Sequence, residues 1–371
     1  MDRVYLDWNA TAPPLPAVIE AMVRAATQSW GNPSSVHAFG RQARACVEDA
    51  REAVARLGRC DPRDVVLTSG GTEANNLALR SAFARGGGVL VTSRLEHPSV
   101  ARVAEALERE GRARVRWLRV TRAGTVDLDD LARALEEGDV RLVAMQSVNA
   151  ETGVLQPVRE ATAMAHRAGA LVHVDAVQSF GRLPELAPDA DTRSLAAHKM
   201  RGPKSIGALL TLPGVALAPV LHGGSQERGL RPGTVDPVAA AGLGAAARHA
   251  LVSPERWQTL APLRDALEVG LLRLAPGARV NGAGASRAPH VTSVAFPGWS
   301  SAELVAALDL EGVAASGGSA CSAGTAEPSA VLLAMGDDAA ATSTIRFSLG
   351  EDTTRADIDA ALAAAARVLG R

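Results

Sequence analysis

The sequence predicts an α/β fold built on a mostly parallel sheet, and three observations carry that prediction. Short apolar, β-branched runs alternate with longer amphipathic stretches. The intervening stretches open and close with the chemistry of crossover helices, as in 157–168, where Pro157 opens the first turn and Gly169 follows the last. The chain is 371 residues long, 47% hydrophobic and 21% charged, which suits two cores at about 100–200 residues per domain.

In chain order the strand candidates are 65–68, 88–92, 115–120, 142–146, 171–174 and 208–212. A helical run at 74–83 follows the first of them, behind Gly70 and Gly71. Pro and Gly gather between 213 and 237, a helical stretch covers about 254–274, and a domain boundary falls near 250. Beyond it, strand candidates at 291–296 and 344–349 flanked by helices predict a smaller α+β domain. No internal repeat or low-complexity tract interrupts the pattern.

Composition narrows the function. Lys+Arg 39 against Asp+Glu 40 gives a net charge of -1, which argues against a basic nucleic-acid binder and against disorder. With aromatics at 3%, base-stacking or sugar-stacking platforms are disfavoured. Cys46, Cys60 and Cys321 are too few and too scattered for a disulfide framework or a CxxC metal site, so a reducing compartment and a cytoplasmic location are expected. The N-terminal residues show no signal peptide. The most apolar run, 238–252, carries Arg248 and His249 and falls short of the roughly 18 apolar residues of a membrane span.

In a parallel sheet, ligands sit at the carboxyl ends of the strands, and three features lie there. Ser69-Gly70-Gly71-Thr72-Glu73 links a strand to a helix and can close backbone N–H groups on an anion. Asp175 ends the run Val172-His173-Val174, where a buried carboxylate needs a cation or donors. Lys199, in His198-Lys199-Met200-Arg201-Gly202-Pro203-Lys204, can serve as a Schiff-base nucleophile. A phosphate, a protonatable ring nitrogen and an aldehyde are together the attributes of pyridoxal 5′-phosphate.

Over nearly its whole length the chain resembles the cysteine desulfurases of the class V aminotransferase superfamily. The motifs that carry the likeness are Gly31-Asn32-Pro33-Ser34-Ser35, TSGGTEANN at 68–76, Glu96-His97, Asp175-Ala176-Val177-Gln178, His198-Lys199, His222-Gly223-Gly224 through Thr234, Gly318-Ser319-Ala320-Cys321-Ser322 and Ile345-Arg346-Phe347-Ser348. The resemblance implies the type I fold of pyridoxal phosphate enzymes, with a large cofactor-binding domain at 13–250 and a small domain from 1–12 and 251–371. It implies that Lys199 forms the Schiff base, Asp175 pairs with the pyridinium nitrogen, Gln178 bonds the ring hydroxyl and His97 stacks on the ring. Gly71, Thr72 and His198 would belong to the cofactor site, with Thr234 reaching the phosphate from the second subunit of a homodimer. Arg346 and Asn32 would bind substrate, Arg346 gripping its carboxylate. Cys321 would take the sulfur of L-cysteine as a persulfide, releasing alanine and passing sulfur to an acceptor protein for iron–sulfur clusters, thiolated tRNA or other cofactors.

Cys46 and Cys60 are read as ordinary packed thiols. The alternatives are selenocysteine lyase or another class V reaction, and a catalytically weakened sulfur-transfer scaffold. The last is raised by two departures: Ala150 stands where relatives carry Asn, and Ala196 stands three residues before Lys199 where they carry a phosphate-binding Ser. Asn149, one residue out of place, is not expected to inherit the role of the missing Asn.

Overall fold

The structure, a computed structural model, describes residues 3–317 and 328–370. Its first part runs β1 (Val4–Tyr5), α1 (Pro16–Gln28), α2 (Ala38–Gly58), β2 (Val65–Thr68), α3 (Gly71–Ala82), β3 (Val89–Ser93), α4 (Pro98–Arg109), β4 (Arg114–Leu118), α5 (Leu128–Glu136), β5 (Val140–Gln146), α6 (Val158–Arg167), β6 (Leu171–Asp175), β7 (Thr192–Ala196), β8 (Gly207–Thr211) and α7 (Pro237–Ala250). The second runs α8 (Pro254–Gln258), α9 (Ala261–Leu274), β9 (Arg279–Val280), β10 (Val291–Ala295), α10 (Ser301–Leu310), β11 (Val313–Ala314), α11 (Ala330–Ala334), β12 (Thr344–Ser348) and α12 (Arg355–Val368).

The fold class read from the sequence holds. Seven strands lie in the order β2-β8-β7-β6-β5-β3-β4, all parallel except β8, which runs antiparallel to β2 and β7. Helices cover both faces, so β2 and β3 are buried at every residue, which is why they read as unbroken apolar runs. A second sheet pairs β10 antiparallel with β12 and β9, and β1 pairs with β11. Its apolar cluster draws Val4, Leu6 and Trp8 from the chain start together with Trp257, Leu267, Phe347 and Ile358.

The structure departs from the sequence reading in three places. β7 escaped notice because Thr192-Arg193-Ser194-Leu195-Ala196 has no apolar run, yet all five residues are buried. Arg193 is tolerated there because it donates to Gly58 O at 2.9 Å and pairs with Glu185 at 3.1 Å. The stretch 254–274 is two helices, with Trp257 buried in the first. The 115–120 run ends as a strand at Leu118.

Both edges of the large sheet are dressed with side chains. At β2, Val65 N–H bonds Pro62 O, Val65 O accepts from Arg51 and Arg228, and Leu67 N–H bonds Glu227 Oε2 at 2.8 Å. Glu227 in turn holds buried Arg51 bidentately at 2.6 and 2.7 Å. At the other edge, β4 carries Arg114 and Arg116. No helix among the described residues is long and apolar enough to cross a membrane, and α7, the apolar run of the sequence, packs on α1 and α2.

Candidate active site

The parallel strands deliver their carboxyl ends to one rim, and the chemistry lies there. β2 ends at Thr68 and turns through Gly70 into α3. Gly70 has φ +147°, with open space where a Cβ would stand. No side chain caps α3, so its first-turn N–H groups and positive dipole end face that turn. A Cβ on Gly71 would lie 2.6 Å from Val177 Cγ2, so residue 71 must be glycine for the turn to pack against the loop after β6. Ala196 Cβ stands 3.9 Å from that same position. Ala196 therefore lies beside this turn.

β6 ends in Asp175, which is 8% exposed. Its Oδ1 accepts from Val177 N at 3.0 Å and its Oδ2 from Asn75 Nδ2 at 2.7 Å; among the described residues no Lys, Arg or His lies within ion-pair distance. Asn75 also donates to Ser99 Oγ at 2.8 Å, and its Oδ1 meets His173 Nε2 at 3.0 Å. Burial pushes His173 down to about 4, so it stays neutral beneath the carboxylate. Sequence reasoning missed Asn75 as the residue that steadies Asp175; its place one turn after Gly71 on the inward face of α3 was the available signal.

β3 leads to Glu96-His97. His97 caps α4, its Nδ1 accepting from Ser99 N at 3.1 Å and lying 2.7 Å from Ser99 Oγ. The ring is thus tied through Ser99 and Asn75 to Asp175. Glu96 is 5% exposed, its Oε2 has no hydrogen-bond partner among the described residues, and burial pushes its carboxyl up to about 8.

β7 leads to His198-Lys199. Lys199 Nζ donates to Asn9 O at 2.5 Å and Ala10 O at 2.8 Å. Lys204 of the same motif is exposed. His198 meets Thr11 Oγ1 at 3.2 Å and is pushed down to about 4 by burial and by the cations Lys199 and Arg182. Gln178 is buried, with Nε2 donating to Asn9 O at 3.2 Å and Oε1 accepting from Arg182 at 2.8 Å.

Arg346 comes from β12 and reaches the rim from the second sheet. It donates to Asp7 Oδ1 at 2.6 Å and to Ala150 O at 3.1 Å, while its backbone pairs with Ser316. Asn9 Nδ2 also donates to Ala150 O, at 3.1 Å. Asn149 Oδ1 accepts from Glu151 N, Thr152 N and Thr152 Oγ1, while its Nδ2 donates to Leu95 O at 3.2 Å. Glu151 is pushed up by burial and accepts from Ser329 Oγ at 2.5 Å.

Not every residue named from the sequence joins this rim within one chain. Asn32 is exposed, with Oδ1 accepting from Ser34 N at 2.9 Å, and Thr234 is exposed ahead of α7. Cys321 lies outside the described residues. Cys46 and Cys60 are half-buried thiols whose pKa is raised by burial, that of Cys60 to about 11, which leaves little thiolate at neutral pH.

Residues 4–361 match the family model described as aminotransferase class-V. A cysteine desulfurase of Cereibacter sphaeroides is 42% identical over 365 residues, spanning 97% of this chain and 94% of the relative. The chain belongs to the cysteine desulfurases of the class V aminotransferase family. Among solved structures, a NifS-like protein superposes with a TM-score of 0.91 at 32% identity over 99% of both chains. The structure of SspA in complex with cysteine superposes at 0.81 with 31% identity, covering 94% of this chain and 99% of that one. These likenesses take in both sheets, so the rim described above lies inside the matched region of a cysteine desulfurase.

Proposed function

We propose that this chain is a pyridoxal 5′-phosphate-dependent enzyme that converts L-cysteine to L-alanine and transfers the sulfur to Cys321. The observation that carries the reading is the convergence, at adjacent strand ends, of an uncapped helix N-terminus, a buried Asp175 with no ion-pair partner among the described residues, and the amine of Lys199. This donor set fits the cofactor. The amides of Gly71 and Thr72 suit a phosphate, Asp175 suits a protonated ring nitrogen, and Lys199 suits an aldehyde. Gln178, His97 and His198 would complete the ring's surroundings. When bound, the cofactor acts as an electron sink for the substrate's α-carbon.

The protein's own groups supply the rest. Arg346, oriented by Asp7, would take the substrate carboxylate in a bidentate grip, with Asn32 a further substrate contact. Lys199 Nζ would hold the cofactor and move protons at the substrate's α-carbon. The Cys321 sulfur would attack the sulfur of L-cysteine, so that the substrate's carbon–sulfur bond breaks, a sulfur–sulfur bond forms and the carbon skeleton leaves as alanine. Atoms and electrons balance, since one thiol and L-cysteine give one persulfide and L-alanine. The high thiol pKa values of Cys46 and Cys60 favour Cys321 for this step.

In this reading the chain divides into 13–250, and 1–12 with 251–371, and works as a cytoplasmic homodimer in which the exposed Thr234 completes the partner's phosphate cup. An acceptor protein would remove the persulfide sulfur for iron–sulfur cluster, thio-cofactor or tRNA synthesis. The test is direct. Purified protein should be yellow and release alanine and, with a reductant, sulfide from L-cysteine. Borohydride should fix the cofactor on Lys199. Cys321→Ala should keep the colour change on adding L-cysteine but release no sulfide. Label on Lys204, or persulfide on Cys46 or Cys60, would overturn the assignment.

A further inference from the structure

Arg182 is fully buried beside the main chain of Lys199, and among the described residues none of its partners is a carboxylate. Its Nε and Nη2 donate to Lys199 O at 3.1 and 2.8 Å, and Nη2 also donates to Trp8 O at 2.9 Å. Its Nη1 donates to Asn9 Oδ1 and to Gln178 Oε1, both at 2.8 Å. The guanidinium also lies over the Trp257 ring at 4.9 Å. A buried cation surrounded only by neutral dipoles is costly unless an anion completes the arrangement.

A guanidinium has no acceptor, so every oxygen that meets it must be an acceptor, and this settles both carboxamides. Asn9 must turn Oδ1 to Arg182, which sends its Nδ2 to Ala150 O. Gln178 must turn Oε1 to Arg182, which leaves its NH2 group with one hydrogen on Asn9 O and one for a ligand. Flipping Gln178 would set an NH2 against the guanidinium.

We propose that Arg182 is a positioning residue that locks the Gln178 carboxamide as a hydrogen-bond donor to the anionic ring oxygen of the cofactor. The proposal rests on the reading that pyridoxal phosphate binds with Gln178 at that oxygen. The donor stabilises the oxyanion, and the cation beyond it adds to the same effect through the amide dipole. Both make the oxygen, and the proton it shares with Lys199 Nζ, easier to deprotonate. The other charged or titratable groups acting on Arg182 are Arg346, Glu351 and Tyr5, while His290, 3.4 Å away, is kept neutral by burial. Beside Lys199, His198 is likewise neutral, and Asp175 and His97 stand at the neighbouring strand ends.

The experiment follows the visible absorption of the holoenzyme against pH in wild type, Arg182→Met, Gln178→Ala and the double variant. Losing a hydrogen bond to a charged oxygen should raise the midpoint of the visible band by about one pH unit or more in Arg182→Met. Gln178→Ala should reproduce most of that rise, and the double variant should add little to it. An unmoved midpoint in Arg182→Met, or fully additive shifts, would overturn the role. Should Arg182→Met not fold, Arg182→Lys keeps the charge without the planar fork. A smaller rise, erased in the Gln178→Ala background, is then expected, and no rise overturns the proposal. Wild-type protein with no visible band would overturn the cofactor reading itself, a result distinct from a band whose midpoint stays put.

Discussion

Ala196 and Ala150, the two alanines at which the sequence departs from the family resemblance, sit in different surroundings. Ala196 is 3% exposed and its methyl simply borders the turn at Gly71. At position 150, by contrast, the main-chain carbonyl accepts from both Asn9 and Arg346, so a neighbouring carboxamide and the backbone carry polar contacts there.

That contrast can be tested from its largest consequence downward. Lys199→Ala strikes the whole site at once. It should reduce sulfide release about 10²–10⁴-fold through lost proton transfer alone and let the cofactor dialyse away, as steady-state assay and absorption would show.

Glu96→Gln probes the floor of the site. The native carboxyl titrates near 8 against about 4.5 when unfolded. The native state therefore holds the extra proton, and wild-type stability should fall as pH rises from about 4.5 to about 8 and level off above. Denaturant melts should show that fall, up to a few kcal/mol, in wild type and not in the variant. A wild-type curve flat across that range would contradict the buried neutral acid.

Ala196→Ser restores a donor beside a dianion, and so should slow cofactor loss in dialysis against an amine by about tenfold while leaving the rate alone. Ala150→Asn enters a position whose carbonyl is already in use, and should raise kcat/KM for L-cysteine by only about two- to tenfold with little change in retention. If Ala150→Asn proves the larger effect on retention, the contrast between the two alanines collapses.

The legible part of this fold was the part written in apolar periodicity. β2 was read to the residue because Val65-Val66-Leu67 is buried on both faces and Ser69-Gly70-Gly71 stops it. β7, two strands away, was invisible because its burial is secured by partners outside the strand, Gly58 and Glu185 for Arg193 and His173 for Thr192. The site divides the same way. Lys199, Asp175, Gln178 and His97 stand out as polar residues at strand ends within motifs. Asn9, Asn75 and Arg182 do not, since their importance lies in hydrogen bonds reaching 98 to 190 residues along the chain.

The dressed edges of the large sheet have a consequence for how the protein keeps company. An incoming strand at β2 would find the N–H of Val65, the C=O of Val65 and the N–H of Leu67 already claimed by Pro62, Arg51, Arg228 and Glu227. At β4 it would have to lay itself against the arginines Arg114 and Arg116. Open sheets grow into fibrils by adding strands at bare edges, and here that route is closed by charged side chains at both margins. Neutralising Glu227 would therefore reopen a template for aggregation as well as loosen the segment that leads to Thr234.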